Sequence, residues 1–226
     1  MHYGKFLRSC LVVIAGLSVE ISLNAMGVDL DEQLESAVDH DNAKEVTRLL
    51  AEGANALAID ASNGTFLHRA AVCGSAQCMD IFIKAGVKVD AVNISGNTAA
   101  YLAAAFGHAK CLKKLVDAKA MVNYYNSVTF RTALYAAADK GHADCMKILL
   151  DADADPFLCE QWGSNAVDKV FGRGDEACIQ ALMDHYFDRQ LEVPIEIAER
   201  FLDFKLHKKN LIQKTEKMES KEELVD

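Results

Sequence analysis

The sequence predicts an all-α solenoid built from helix-turn-helix units, and three observations predict it. Composition comes first: 51% of the 226 residues are hydrophobic and only two are proline, which suits a folded, helix-rich chain and not a disordered one. The second is a repeat. Thr65, Thr98, Thr132 and Asn165 follow one another at steps of 33, 34 and 33 residues, and Gly74, Gly107, Gly141 and Gly174 keep the same steps behind them. A third series, Cys78, Cys111, Cys145 and Cys178, shares that register. The last observation is helical spacing within a unit: Ala133, Ala136 and Ala137 place small residues on one face of a first helix, and Cys145, Ile148 and Leu149 recur at i, i+3 and i+4 on a second.

Taken in order, the chain opens with Lys5 and Arg8, then an apolar run over residues 10–19, then a polar run over 20–25. That sequence of regions reads as a secretory signal peptide with a cut after Ala25, although Leu23 stands where a small residue is preferred. The apolar run is shorter than the roughly 20 residues that span a bilayer. An uncleaved membrane anchor and a buried or amphipathic N-terminal helix are the other readings open at this point. Five units follow, at 32–60, 61–93, 94–126, 127–159 and 160–188. The first has a closing Arg48, Leu49, Leu50 and Gly53 but no opening turn, as a capping unit would. The glycines at 74, 107, 141 and 174 suit a left-handed turn between paired helices. One pair cannot bury its apolar face alone, so stacking supplies the core and stability runs from neighbour to neighbour. Residues 189–226 form a C-terminal segment: Pro194 precedes a helical pattern over 195–204 that caps the last unit, and the run from Lys208 onward reads as a solvated, fraying helix.

These motifs resemble the ankyrin repeat, with its Thr-Pro-Leu-His turn, Ala-rich first helix, Gly-His turn and second helix ending in Leu-Leu. The best copies are Thr65, Phe66, Leu67 and His68; Gly107 and His108 with the helix that follows; and Gly141 and His142 leading to Leu149 and Leu150. The resemblance covers residues 32–188, with departures. The turn proline is missing throughout, Tyr101 and Tyr135 stand where His is usual, and the fifth copy keeps only Gly163, Ala166 and Gly174. It implies an ankyrin-repeat solenoid whose loops project as β-hairpin fingers, and a concave face, formed by the fingers and first helices, that engages partner proteins. Carried onto this chain, the fingers place Ser62, Ser95, Asn97, Thr129, Arg131, Trp162 and Ser164 at their tips. Phe106, Asp139, Lys140 and Arg173 fall in the groove at the ends of first helices. The extra residue of the 34-step lies between Lys119 and Thr132, in a loop holding Tyr124, Tyr125 and Phe130. Tyr, Trp and Arg most often anchor interfaces, so Tyr125, Arg131 and Trp162 are the expected contacts. Packing of Phe130 or Tyr124 under the hairpin is the competing reading of that loop.

The cysteines invite a disulfide or zinc reading, and spacing argues against both. Equivalent positions in stacked helices lie about 8–10 Å apart, beyond the reach of roughly 7 Å between Cα atoms that a disulfide allows, and the chain has no Cys-x-x-Cys pair. The four registered cysteines are therefore expected as a buried ladder, with Cys73 and Cys159 as the more reactive thiols. His68 is expected to tie neighbouring turns together, and His108 and His142 to open second helices. No site for catalysis, metal or a small-molecule cofactor emerges, and the roughly 40 residues after the repeats are too few for a catalytic core of their own.

The net charge of −9 lies nearly all between Asp29 and Ala198, with no Lys/Arg stripe to neutralise phosphates, which argues against nucleic acid and for a basic or neutral protein surface as partner. A membrane enters only if the N-terminal segment is uncleaved. The expected function is that of a protein–protein interaction module, exported by way of residues 1–25. The Glu-rich C-terminus is similar to translocation signals of type IV effectors of intracellular bacteria, so a host-directed effector acting from the cytosolic side is one alternative. A periplasmic stabiliser of an enzyme is another.

Overall fold

A computed structural model describes residues 30–222, with side chains through 209. The signal-like segment 1–25 and the last four residues lie outside that range, as do the side chains of the Glu-rich end. Eleven helices order the described chain. They are α1 (Leu30–Asp39), α2 (Ala43–Ala51), α3 (Phe66–Cys73), α4 (Ala76–Lys84), α5 (Ala99–Ala105), α6 (Ala109–Asp117), α7 (Ala133–Lys140), α8 (Ala143–Asp151), α9 (Ala166–Arg173), α10 (Glu176–Asp188) and α11 (Ile195–Glu222). Each odd helix up to α9 packs against the even helix that follows it, and the pairs stack in sequence order. Two layers result: α1, α3, α5, α7 and α9 form one, and α2, α4, α6, α8 and α10 the other. Residues 166–188 make a full helix pair even though few of the repeat's residues survive there.

The recurring Thr/Asn marker is the N-cap of the first helix. The Thr98 and Thr132 hydroxyls accept from the Tyr101 and Tyr135 amides at 3.2 and 3.1 Å. Asn165 and Asp168 form a reciprocal capping box at 2.9 and 3.0 Å. In the second unit, His68 Nδ1 accepts from the Thr65 amide at 3.1 Å, which leaves Nε2 to donate to the Asn97 carbonyl at 3.0 Å. The ring thus ties its own turn to the next finger, as expected, and its burial holds the imidazole below its ordinary pKa and therefore neutral.

Glycine at 107 is a steric requirement. Its φ of +76° is left-handed, and a Cβ there would come within 2.7 Å of the His142 ring. Gly74 stands in the same relation to His108, whose Nε2 reaches back to the Val72 carbonyl at 3.0 Å. The Gly and His of successive units therefore interlock across the stack.

The core is a single seam of fully buried leucines, methionines and alanines from both layers, including Leu67, Met79, Leu112, Leu115, Met146 and Leu149. Phe66 and Phe82 stack at 4.8 Å between α3 and α4. Cys78, Cys111, Cys145 and Cys178 are all fully buried and unbridged, so the ladder is packing, not chemistry. Burial pushes their thiols up, to about 12 for Cys78 and Cys145 and about 11 for Cys111 and Cys178, which leaves them protonated at neutral pH.

Helix α11 closes the stack. Ile197 is fully buried, and Phe201 and Phe204 pack against the core from the same face, while Arg200 pairs with Asp168 at 2.7 Å and Lys208 with Glu176 at 2.6 Å. Its opposite face leaves Ile195, Leu202 and Leu206 exposed. Among the described residues no helix is long and apolar enough to cross a membrane.

Candidate partner-binding face

Four loops join the helix pairs, and each is held by one acidic or amide side chain that sequence reasoning passed over. Asp60 accepts from the Ser62 and Gly64 amides at 2.7 and 2.8 Å. Asn93 accepts from Ser95 and Asn97 at 3.0 and 3.1 Å, Asn126 from Val128 and Thr129 at 2.7 and 2.9 Å, and Glu160 from Trp162 and Ser164 at 3.0 and 3.4 Å. The signal was available: these four residues recur at steps of 33, 33 and 34, five residues ahead of each Thr/Asn marker except in the third loop, where the gap is six. Their backbones close each loop as well, with the amide of Asn93 bonded to the Asn97 carbonyl at 3.1 Å and that of Asn126 to the Arg131 carbonyl at 3.0 Å. The third loop spans one residue more than the second, which places the insertion inside 126–131, and Phe130 takes up the slack with a φ of +57°. Hairpin character is reduced to single antiparallel bridges, Ile59 with Thr65 and Tyr125 with Thr132, because the tip amides point at the capping side chain instead of across a ladder.

Neighbouring loops are bonded to one another. The Ile94 amide donates to the Ser62 carbonyl at 2.8 Å, and Asn126 Nδ2 donates to the Ser95 carbonyl and Asn97 Oδ1 at 2.6 and 2.7 Å. The loops therefore form one pre-organised edge. On that edge the tips are apolar: Ile94 is 71% exposed, Val128 60% and Trp162 73%. Tyr125, 54% exposed, stacks on Phe130 at 5.8 Å, so the aromatics of the third loop cover each other on the surface and do not pack beneath it. Loops fixed this tightly present apolar groups at little further entropic cost on binding.

These are ankyrin-type fingers on an ankyrin-type stack, and the comparison with known families agrees over most of the stack. The profile described as ankyrin repeats (3 copies) matches residues 34–126, and that described as ankyrin repeat matches 130–160. Together they take in more than half of the chain. The chain belongs to the ankyrin-repeat family. No curated protein gives a significant match. Ankyrin repeats are in general protein–protein interaction modules.

The structure distributes the expected contact residues unevenly over the ankyrin face. Trp162, Tyr125 and Ser95 are exposed on the finger edge, and Phe106, 53% exposed, stands at the end of α5 against His108. Lys140 and Arg173 are exposed at the ends of α7 and α9, and Arg173 donates to the Asp139 carbonyl at 3.0 Å. Asn97 is half-buried in the finger-to-finger network, and Thr129 has its hydroxyl buried without a partner. Arg131 is not at a tip. It folds down over the Tyr135 ring at 5.1 Å, on the inner layer. Lys169 approaches the same ring at 5.3 Å and Asp139 at 3.6 Å. Missed altogether in the sequence were Ile94 and Val128, whose apolar character inside polar loops was the available clue, and the Tyr101–Tyr135–Lys169 group. Cys73 is exposed, but partial burial and its bond to Asp39 raise its thiol above the ordinary value, which makes it a poor nucleophile at neutral pH. No set of three or more His, Cys, Asp or Glu among the described residues is placed to hold a metal ion.

Proposed function

We propose that this ankyrin stack captures a partner protein across its finger edge and inner helices, without chemistry of its own. The observation that carries the reading is the row of exposed apolar tips, Ile94, Val128 and Trp162, on loops bonded to one another and left uncovered by the described residues. Exposed aromatic and aliphatic groups on a rigid frame are the usual anchors of such contacts. The acidic body, at net charge −9, matches a partner that is basic or neutral overall.

The test is affinity capture from the native source with a triple variant, Ile94→Asp, Val128→Asp and Trp162→Ala. Thermal unfolding unchanged from the wild type would establish that the fold survives. Capture should fall by about tenfold or more, since loss of a hot-spot residue costs about 2 kcal/mol or more. Retention of the same partners at the same yield would remove this edge from consideration.

We propose further that the chain is exported, on the support of the basic, apolar and polar order of residues 1–25. A host-directed effector and a periplasmic stabiliser of an enzyme are then distinguished by which partner is captured.

A further inference from the structure

Six arginines lie among the residues whose side chains are described, and five of them hold a carboxylate or a backbone carbonyl; Arg69 grips Asp39 at 2.6 Å and Arg200 grips Asp168 at 2.7 Å, for instance. Arg131 is the exception. It makes no ion pair among the described residues, and its Nε–H is shut away from water with no acceptor. The guanidinium carbon lies 5.1 Å from the centre of the buried Tyr135 ring, with the Tyr101 hydroxyl beside the guanidinium. Lys169 Nζ lies 5.3 Å from the centre of the same ring. A phenolic hydroxyl beside a cation can give its own proton to an anion.

We infer that Arg131, Tyr101, Tyr135 and Lys169 form a seat on the inner face for one carboxylate of the partner protein, an Asp or Glu side chain or a C-terminus. The fork of a guanidinium matches a carboxylate two bonds at a time, and the aromatic backing fixes its orientation. Charge selects the ligand. Two cations with one neighbouring carboxylate, Asp139 at 3.6 Å from Lys169, leave the seat one positive charge, since Lys140, 4.0 Å from Asp139, is 60% exposed and screened by solvent; one carboxylate neutralises that charge and a phosphomonoester dianion exceeds it. The sequence explains why the seat exists here: Tyr101 and Tyr135 replace the turn histidine, which as His68 is committed to the next finger. In their place the buried Tyr135 ring carries Arg131 and Lys169 over it, and Tyr101 lies half-buried beside Arg131. This inference rests on the partner-binding reading and specifies its chemistry: a basic or neutral partner that inserts one acidic group into the groove.

The test follows the Arg131 Nε–Hε resonance of the full chain, labelled with nitrogen-15 and assigned by its loss in Arg131→Lys. The probes are three capped peptides, acetyl-Gly-Glu-Gly-amide and its glutamine and phosphoserine counterparts. The glutamate peptide should shift Arg131 saturably while the other six arginines of the full chain stay in place. The glutamine peptide should bind at least about tenfold more weakly, because a hydrogen bond to a charged group contributes about 1.5 kcal/mol or more. Lys169→Met should weaken the glutamate peptide as well. An unsaturable shift, an equal shift with glutamine, or tighter binding of the phosphoserine peptide would each overturn the assignment. Trp162→Ala, which lies on the finger edge, should leave this titration unchanged, so failure of the finger edge and failure of the seat are read separately.

Discussion

His68 carries the clearest link from a single residue to stability. Its burial and its two bonds, from the Thr65 amide and to the Asn97 carbonyl, require the neutral ring, so the folded state holds its pKa below the ordinary 6.5. The unfolded chain then takes up a proton that the folded chain refuses, and stability falls as pH drops below about 6.5. His185 is shifted the same way by burial and adds to the slope. Asp39, which the Arg69 guanidinium holds below its ordinary value of 3.8, contributes only at more acidic pH. Urea midpoints measured between pH 7.5 and 5 should therefore decline, and His68→Gln, which removes one of the two groups, should flatten the decline. An unchanged slope in the variant would mean that His68 is not held neutral. At this scale the sequence was informative where a residue repeated, as in the buried cysteine ladder, and where it matched the ankyrin pattern, as in the role of His68. Arg131 was illegible because its position in the loop predicts a tip, whereas its destination depends on the tyrosine that sits four residues on and folds under it.

Between elements, what holds is the interlock of turns. Gly107 and Gly86 share a left-handed backbone, at φ of +76° and +83°, but only Gly107 has a neighbour against its missing Cβ, the His142 ring at 2.7 Å. Alanine at Gly86 should cost the backbone strain alone, about 1 to 2 kcal/mol. Alanine at Gly107 should cost more, because His142 must also move. Chemical denaturation of the two variants separates the contributions, and equal losses would show that the Gly–His contact carries no energy. Helix boundaries followed closely from the Thr and Gly markers, since a cap and a left-handed turn are local events that local residues determine. The fingers were less legible. Their capping residues Asp60, Asn93, Asn126 and Glu160 differ in type, so a search for identical residues misses a series that geometry makes obvious.

At the scale of the whole molecule, the described residues make five helix pairs and a closing helix, a stack whose two layers differ in what they offer. The outer layer shows charged, solvated residues such as Lys113 and Lys147, while the finger edge shows Ile94, Val128 and Trp162. The architecture was legible because a 33-residue period leaves few alternatives; the binding face was only half legible, since exposure is a property of the assembled stack and no single unit contains it. The central claim is that partners meet the finger edge. Photo-crosslinking in the native source tests it most directly, with a benzophenone amino acid placed in turn at positions 94, 162, 113 and 147. Adducts with one common partner from 94 and 162, and none from 113 or 147, are the predicted result. Adducts only from 113 and 147 would put the partner on the outer helices and contradict the account.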